Sequence, residues 1–399
     1  MNVGKCRSVG MALLQNKRRR AEELRMDTGS QLRGLQRVLS REVHVSDLLQ
    51  HLSDLDPSPW ESLLGWTPRA TDRERKLATL RSERRVKGTV DLLLSDGDEE
   101  VAIEVKVGHR FSADQQERYE KSSKGRLVLA GLAADESLVV SVPRWEFLKL
   151  DDAFEAWASS SNQEAAVLGR AAAVVLREWD SSIAAVFGEG KESRPLNSIK
   201  QKFLAIVIAR RIADELAQRV WHVQAGVTSG GGLALVQAWD SVGKDPDRCV
   251  IAEVRWQGDL RAGELRLGVD YSLAESRAAR ADAWALAKAM DESIRIDALR
   301  KHLAELHPHL DKLLLRSDAG RRPTNDDTWQ QVVERGFKSK DNPQGVEGGR
   351  SQNNPGFVGD GTQRFEAVSK IDYSSATASN LIELIEVSLE YLKSRLPAE

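Results

Sequence analysis

The stretch from Gly88 to Lys106, Gly-Thr-Val-Asp-Leu-Leu-Leu-Ser-Asp-Gly-Asp-Glu-Glu-Val-Ala-Ile-Glu-Val-Lys, constrains this chain more than any other. Two β-like runs, Val90 to Ser95 and Glu100 to Val107, flank Asp96-Gly97, a strong hairpin signal. Strand side chains alternate faces, so Glu104 and Lys106 point one way and Ile103, Val105 and Val107 the other. A register pairing Ser95 with Glu100 places Asp91 directly opposite Glu104. Opposed like charges are unfavourable on a sheet. The position therefore calls for positive charge, which Lys106 and a divalent cation such as Mg²⁺ (or Mn²⁺) would supply.

Two further segments bear on this hairpin. Ser112-Ala-Asp-Gln-Gln-Glu-Arg-Tyr119 reads as a helix, with Ser112 as its cap and Asp114 in its first turn. Glu42-Val-His-Val-Ser-Asp-Leu-Leu and the run through Leu55-Asp56-Pro57 read as an amphipathic helix stopped by proline. Together they resemble the PD-(D/E)XK nuclease superfamily over roughly residues 40 to 143. Asp91 and the Glu104-x-Lys106 pair match its core. The helix from Ser112 is similar to the Gln- and Tyr-bearing helix that follows that core. The helix from Glu42 resembles the acidic first helix of an uncharacterised bacterial branch. The chain departs from the pattern in having Thr-Val, not Pro, before Asp91.

The resemblance implies an α/β fold: a mixed sheet flanked by helices, with a C-terminal α+β accessory domain. It implies Asp91, Glu104 and Lys106 as catalytic residues. Asp91, Glu104, the Val105 carbonyl and Glu42 would be metal ligands, and Gln115, Gln116, Tyr119 and Arg110 substrate-binding. The activity implied is Mg²⁺-dependent hydrolysis of phosphodiesters in DNA, in genome defence or repair. Alternatives stay open: a nuclease-fold module that binds DNA or a protein without cutting, or a ribonuclease. Glu104 and Lys106 also fit a surface salt bridge, Glu42 fits a first-turn acid favouring the helix dipole, and Arg110 fits a solvated loop.

Length and composition narrow the rest. A chain of 399 residues holds two or three domains. We expect an N-terminal helical extension over residues 1–40, the nuclease-like domain over 41–190 and the accessory domain over 195–399. No apolar run approaches the ~20 residues of a membrane span, and two cysteines, Cys6 and Cys249, give neither a disulfide framework nor a zinc spacing. A cytoplasmic protein is the expectation. The net charge of −2 gives no global basic footprint for nucleic acid, although Lys17 to Arg20 and Arg69 to Lys87 are locally basic.

Along the chain, strands are expected at Leu77–Arg85, Arg126–Leu132 and Leu138–Val142. One long helix is expected over Asp152–Phe187, and others over Pro195–Val223, Leu273–Leu314 and Ala376–Arg395. Leu233–Trp239, Cys249–Trp256 and Gly263–Asp270 predict a small antiparallel sheet. Ser317–Thr362, rich in Gly, Pro, Asn and Asp, predicts a long loop. Arg316, Arg321, Arg322, Arg335, Lys338, Lys340, Arg350 and Arg364, in or beside it, would face phosphate or solvent. The second domain would select substrate, contact a partner or mediate a homodimer.

Overall fold

The computed structural model describes residues 32–73, 90–108, 111–139, 142–188, 190–219, 221–228, 232–243, 245–271, 276–315, 326–347, 355–359 and 363–397. The strand expected over Leu77–Arg85, together with Arg110, Arg316, Arg321, Arg322, Arg350 and the Lys17 to Arg20 run, lies outside them. Two compact units divide between Ser181 and Ser182.

The first unit is mixed α/β. Helices α1 (Arg33–Leu39), α2 (Glu42–Leu55) and α3 (Pro59–Leu64) precede strand β1 (Ala70–Arg73). Strands β2 (Leu92–Ser95) and β3 (Glu100–Lys106), helix α4 (Ala113–Ser122), and strands β4 (Arg126–Gly131) and β5 (Trp145–Lys149) follow. The sheet order is β1-β2-β3-β4-β5, antiparallel across β1, β2 and β3 and parallel across β3, β4 and β5. Parallel neighbours need a crossover, and α4 provides it between β3 and β4. The β2–β3 turn is the expected hairpin. Gly97 takes φ +106°, and the Asp96 carboxylate accepts from the Asp98 and Glu99 amides at 3.0 and 2.9 Å.

One sheet face packs Ala102, Leu127, Leu129 and Trp145 with Tyr119 of α4 and Phe111. Trp60, Phe154 and Trp157 are also wholly buried.

Two expectations fail in this unit. The described residues of Leu138–Val142 are not strand (Val140 and Ser141 lie outside the described residues): Ala133–Leu138 is a 3₁₀ turn, and Val139, Val142 and Trp145 donate to carbonyls three residues back. These local bonds use up the donors that a ladder would need, and Pro143 has none. The expected single helix over Asp152–Phe187 is two, α5 (Leu150–Trp157) and α6 (Gln163–Phe187). Asn162 starts the second by accepting from the Glu164 and Ala165 amides.

The second unit is α+β. After helix α7 (Lys202–Ala217) come strands β6 (His222–Val227), β7 (Ala234–Val242), β8 (Asp245–Trp256) and β9 (Ala262–Tyr271). Helices α8 (Arg277–Ile294), α9 (Ile296–Leu306) and α10 (Pro308–Asp311) lead to β10 (Leu314–Leu315). Helix α11 (Asp326–Arg335), strands β11 (Gly356–Gly359) and β12 (Gln363–Asp372), and helix α12 (Ala378–Lys393) complete it. The sheet is wholly antiparallel, ordered β10-β12-β9-β8-β7-β6, with β11 also beside β12.

Three corrections apply here. The helix expected from Pro195 begins at Lys202 and gives way to β6. The helix expected over Leu273–Leu314 breaks at Arg295, whose backbone is extended, and at His307. The long loop is interrupted by α11, which buries Trp329, Val332 and Val333, and by β11. Arg364 is not a loop residue but lies in β12, Arg335 ends α11, and Lys338 pairs with Glu347.

Candidate functional site

The hairpin register is the expected one. Leu92 pairs with Ile103 and Ser95 with Glu100, so Asp91, one residue before β2, is in line with Glu104. The Asp91 carboxylate accepts from the Val105 amide at 2.8 Å. Lys106 Nζ donates to Glu104 Oε1 at 2.6 Å, and both side chains are nearly buried. The site forms at the end of β3, where the strand direction changes from antiparallel to parallel neighbours.

Helix α4 supplies the next group. Ser112 caps it by accepting from the Gln115 amide, which sets the helix phase. Gln115 and Tyr119, four apart, then share a face. Gln115 Nε2 donates to Glu104 Oε1 at 2.5 Å and to the Tyr119 hydroxyl at 3.2 Å. Gln116 turns elsewhere and donates to the Leu138 carbonyl at 3.4 Å. Of the two glutamines, Gln115 is thus at the site, and Gln116 ties α4 to the 3₁₀ turn. Tyr119 is buried, and its phenol is raised by burial and by the charge of Glu104.

Glu42, in the first turn of α2, accepts from the Val107 amide at 2.9 Å and lies 3.7 Å from Lys106 Nζ. The structure therefore brings Asp91, Glu104, Lys106, Gln115 and Glu42 together. Arg73 belongs to the locally basic run from Arg69 but was not expected among the site residues. It ends β1, pairs with Asp47 of α2 and helps to hold the Asp91 carboxyl down. The expected strand at Leu77–Arg85 hid it, because that reading left Arg73 in a loop.

The electrostatics are unbalanced. Among the described residues, three carboxylates lie around the Lys106 ammonium, with Arg73 acting on Asp91. Burial raises the Asp91 carboxyl above the ordinary range, although the Val105 amide and Lys106 oppose this. Burial and the facing Asp91 push Glu104 up to about 7. Burial works to lower the Lys106 ammonium, but Glu104 and Glu42 outweigh it and hold its pKa above the ordinary value. One oxygen, Glu104 Oε2, is buried with no hydrogen-bond partner. Such an atom is costly unless a proton or a cation meets it.

A second charged group sits at the ends of β4 and β5. Lys149 lies 2.9 Å from Asp151, and Asp180 accepts from the Ala133 amide at 2.9 Å. Arg177 also reaches Asp151. These groups tie α5 and α6 to the sheet.

Among the described residues, no set of three or more His, Cys, Asp or Glu side chains forms a metal-binding cluster, and no helix is long and apolar enough to cross a membrane. Comparison with protein-family models, curated proteins and solved structures gave no match.

Proposed function

We propose that this chain is a divalent-cation-dependent nuclease acting on DNA, with its site at Asp91, Glu104 and Lys106. The observation that carries the reading is the opposed pair Asp91 and Glu104, partly to fully buried, with Lys106 bonded to Glu104 beside them. Hard divalent cations take oxygen ligands and often keep several waters, so two carboxylates and a carbonyl suffice. Asp91, Glu104 through its unpartnered Oε2, and the Val105 carbonyl would hold Mg²⁺, with Glu42 behind Lys106. Bound there, the cation would lower the pKa of the attacking water and neutralise charge on the phosphoryl group.

The chain's own groups would do the rest. Lys106 is placed to orient the attacking water and to stabilise the negative charge that develops on the phosphate. Gln115 fixes the Glu104 rotamer, so that Oε2 faces inward. Because Glu104 is held near neutrality, cation binding would release a proton from it. The basic run from Arg75 to Lys87 follows β1 and precedes Asp91 in sequence, which favours a polyanionic substrate.

The purified protein should cut DNA with Mg²⁺ or Mn²⁺ and stop with a chelator, tested on single-stranded DNA, double-stranded DNA and RNA. Cutting of RNA alone would change the substrate class. Binding without cutting under every metal condition would return the chain to a nuclease-fold binding module.

A further inference from the structure

Sheet edges expose backbone donors and acceptors, and proteins blunt them with short strands, charges, proline or cover. Most edges of this molecule follow that rule. β1 has four residues and carries Asp72 and Arg73. β5 carries Glu146, paired with Arg126, and Lys149, paired with Asp151. On one side of the second sheet, β10 has two residues and β11 four.

Among the described residues, the opposite side ends on β6, His222-Val-Gln-Ala-Gly-Val227, which has neither the shortness, the charge nor the proline of the other edges. The strand has six residues, no Asp, Glu, Lys or Arg, and no proline. His222, Gln224 and Val227 are exposed, Val227 by 50%. Charges around it are already matched: Arg219 pairs with Glu386, and Lys393 pairs with Asp240.

The side-chain pattern points to the partner. Val223, Ala225 and Val227 oppose Ala238, Val236 and Ala234 of β7, which are buried. They therefore share the apolar face of the sheet, while His222 and Gln224 lie on the other. A two-fold axis through Ala225, normal to the sheet, keeps like faces together. It sets Ala225 opposite its own copy, Val223 opposite Val227 of the second copy, and Gln224 opposite Gly226. A slip of one residue would set apolar side chains against polar ones. Of the registers that keep like faces together, the one centred on Ala225 pairs all three apolar residues of the strand with one another, which suits an isologous contact.

We propose that β6 is a dimerisation edge on which a second copy of this chain pairs antiparallel, centred on Ala225. The proposal does not depend on the nuclease reading. It is tested with the full chain carrying Cys6→Ser and Cys249→Ser, so that an introduced thiol is the sole one. Ala225→Cys should then oxidise to a disulfide-linked dimer at least ~10-fold faster than Val223→Cys, because facing residues of a strand pair meet disulfide geometry. Val223→Cys and Val227→Cys chains, mixed, should cross-link to each other. Val227→Lys should weaken self-association at least ~10-fold by sedimentation velocity, with an unchanged circular dichroism spectrum, since an edge lysine blocks pairing. Equal cross-linking at Ala225 and Val223 would overturn the register. A strictly monomeric chain at ~100 µM, well above the Kd range of small interfaces, would overturn the dimer. So would a β6 that takes up a strand of another protein without self-association.

Discussion

The two units bury similar charged groups and treat them in opposite ways. In the second unit, Glu253, Asp270 and Glu366 lie among Arg255, Arg266 and Arg364 on one face of the sheet. Arg266 donates to Glu366 at 3.0 Å, and Arg364 to Asp270 at 2.7 Å and Glu253 at 3.1 Å. Glu264 also accepts from Arg266 at 3.0 Å, so four acids meet three arginines, and each acid has an arginine directly against it. Burial alone would raise Glu253, yet Arg255 and Arg364 hold it below the ordinary range. In the first unit, among the described residues, Glu104 and Glu42 share Lys106, Asp91 feels Lys106 and Arg73, and Glu104 is pushed up to about 7. A network in which every acid has its own arginine contact can be purely structural. One in which two buried acids share a single lysine and one of them is pushed well up is the better candidate for a cation site, which is the reading proposed above. Glu366, raised by burial despite Arg266 and Arg364, and the unpartnered oxygens Asp270 Oδ1 and Glu366 Oε2 blur the contrast.

If the comparison holds, substitutions should separate activity from stability. Lys106→Ala should lower cleavage by roughly 10²–10⁴-fold, the scale of losing one positioned group, with the fold intact. Unchanged cleavage in a folded variant would remove Lys106 from the mechanism. Arg266→Ala should do the reverse. It removes the nearest arginine of the buried Glu366, leaving it Arg364 at 3.7 Å, and one of the three of Glu253, and should destabilise the fold by about 3–5 kcal/mol in denaturant titration, with cleavage lost only in proportion to unfolding. A mild effect would make the second network as dispensable as surface pairs are.

A smaller effect is expected from Glu104. Its folded pKa of about 7 exceeds its ordinary 4.5, so between those values the native state binds more protons than the unfolded chain. Stability should therefore fall as pH rises through that window. Glu104→Gln should flatten the fall by ~1–3 kcal/mol, measured as unfolding midpoints from pH 4.5 to 8. An identical slope would place the unbalanced charge elsewhere. Smallest of all, Gln116→Ala should change cleavage less than Gln115→Ala, because only Gln115 reaches Glu104.

The site was legible where local rules govern. Asp96-Gly97 set the turn, the turn set the register, and the register placed Asp91 against Glu104. Ser112 and helical spacing brought Gln115 and Tyr119 to one face but left Gln115 and Gln116 equivalent until Leu138 gave Gln116 its partner. The second sheet was half legible. β12 went unnoticed although Phe365, Ala367 and Ile371 alternate with Arg364, Glu366 and Lys370. Charged residues usually mark a solvated face, and the arginines that neutralise Glu366 come from a strand distant in sequence and from two residues before it. Helix breaks at Asn162 and Arg295 were hidden inside continuous apolar periodicity, which reports amphipathicity and not chain continuity.

The central claim is that the first unit's excess of acid is a cation site. Calorimetric titration of Mg²⁺ into the parent protein, Asp91→Ala and Glu104→Ala tests it most directly. We expect saturable binding to the parent, with proton release near pH 7, and loss of that binding in both variants. Variants that bind Mg²⁺ as the parent does, or a parent that binds none, would contradict it.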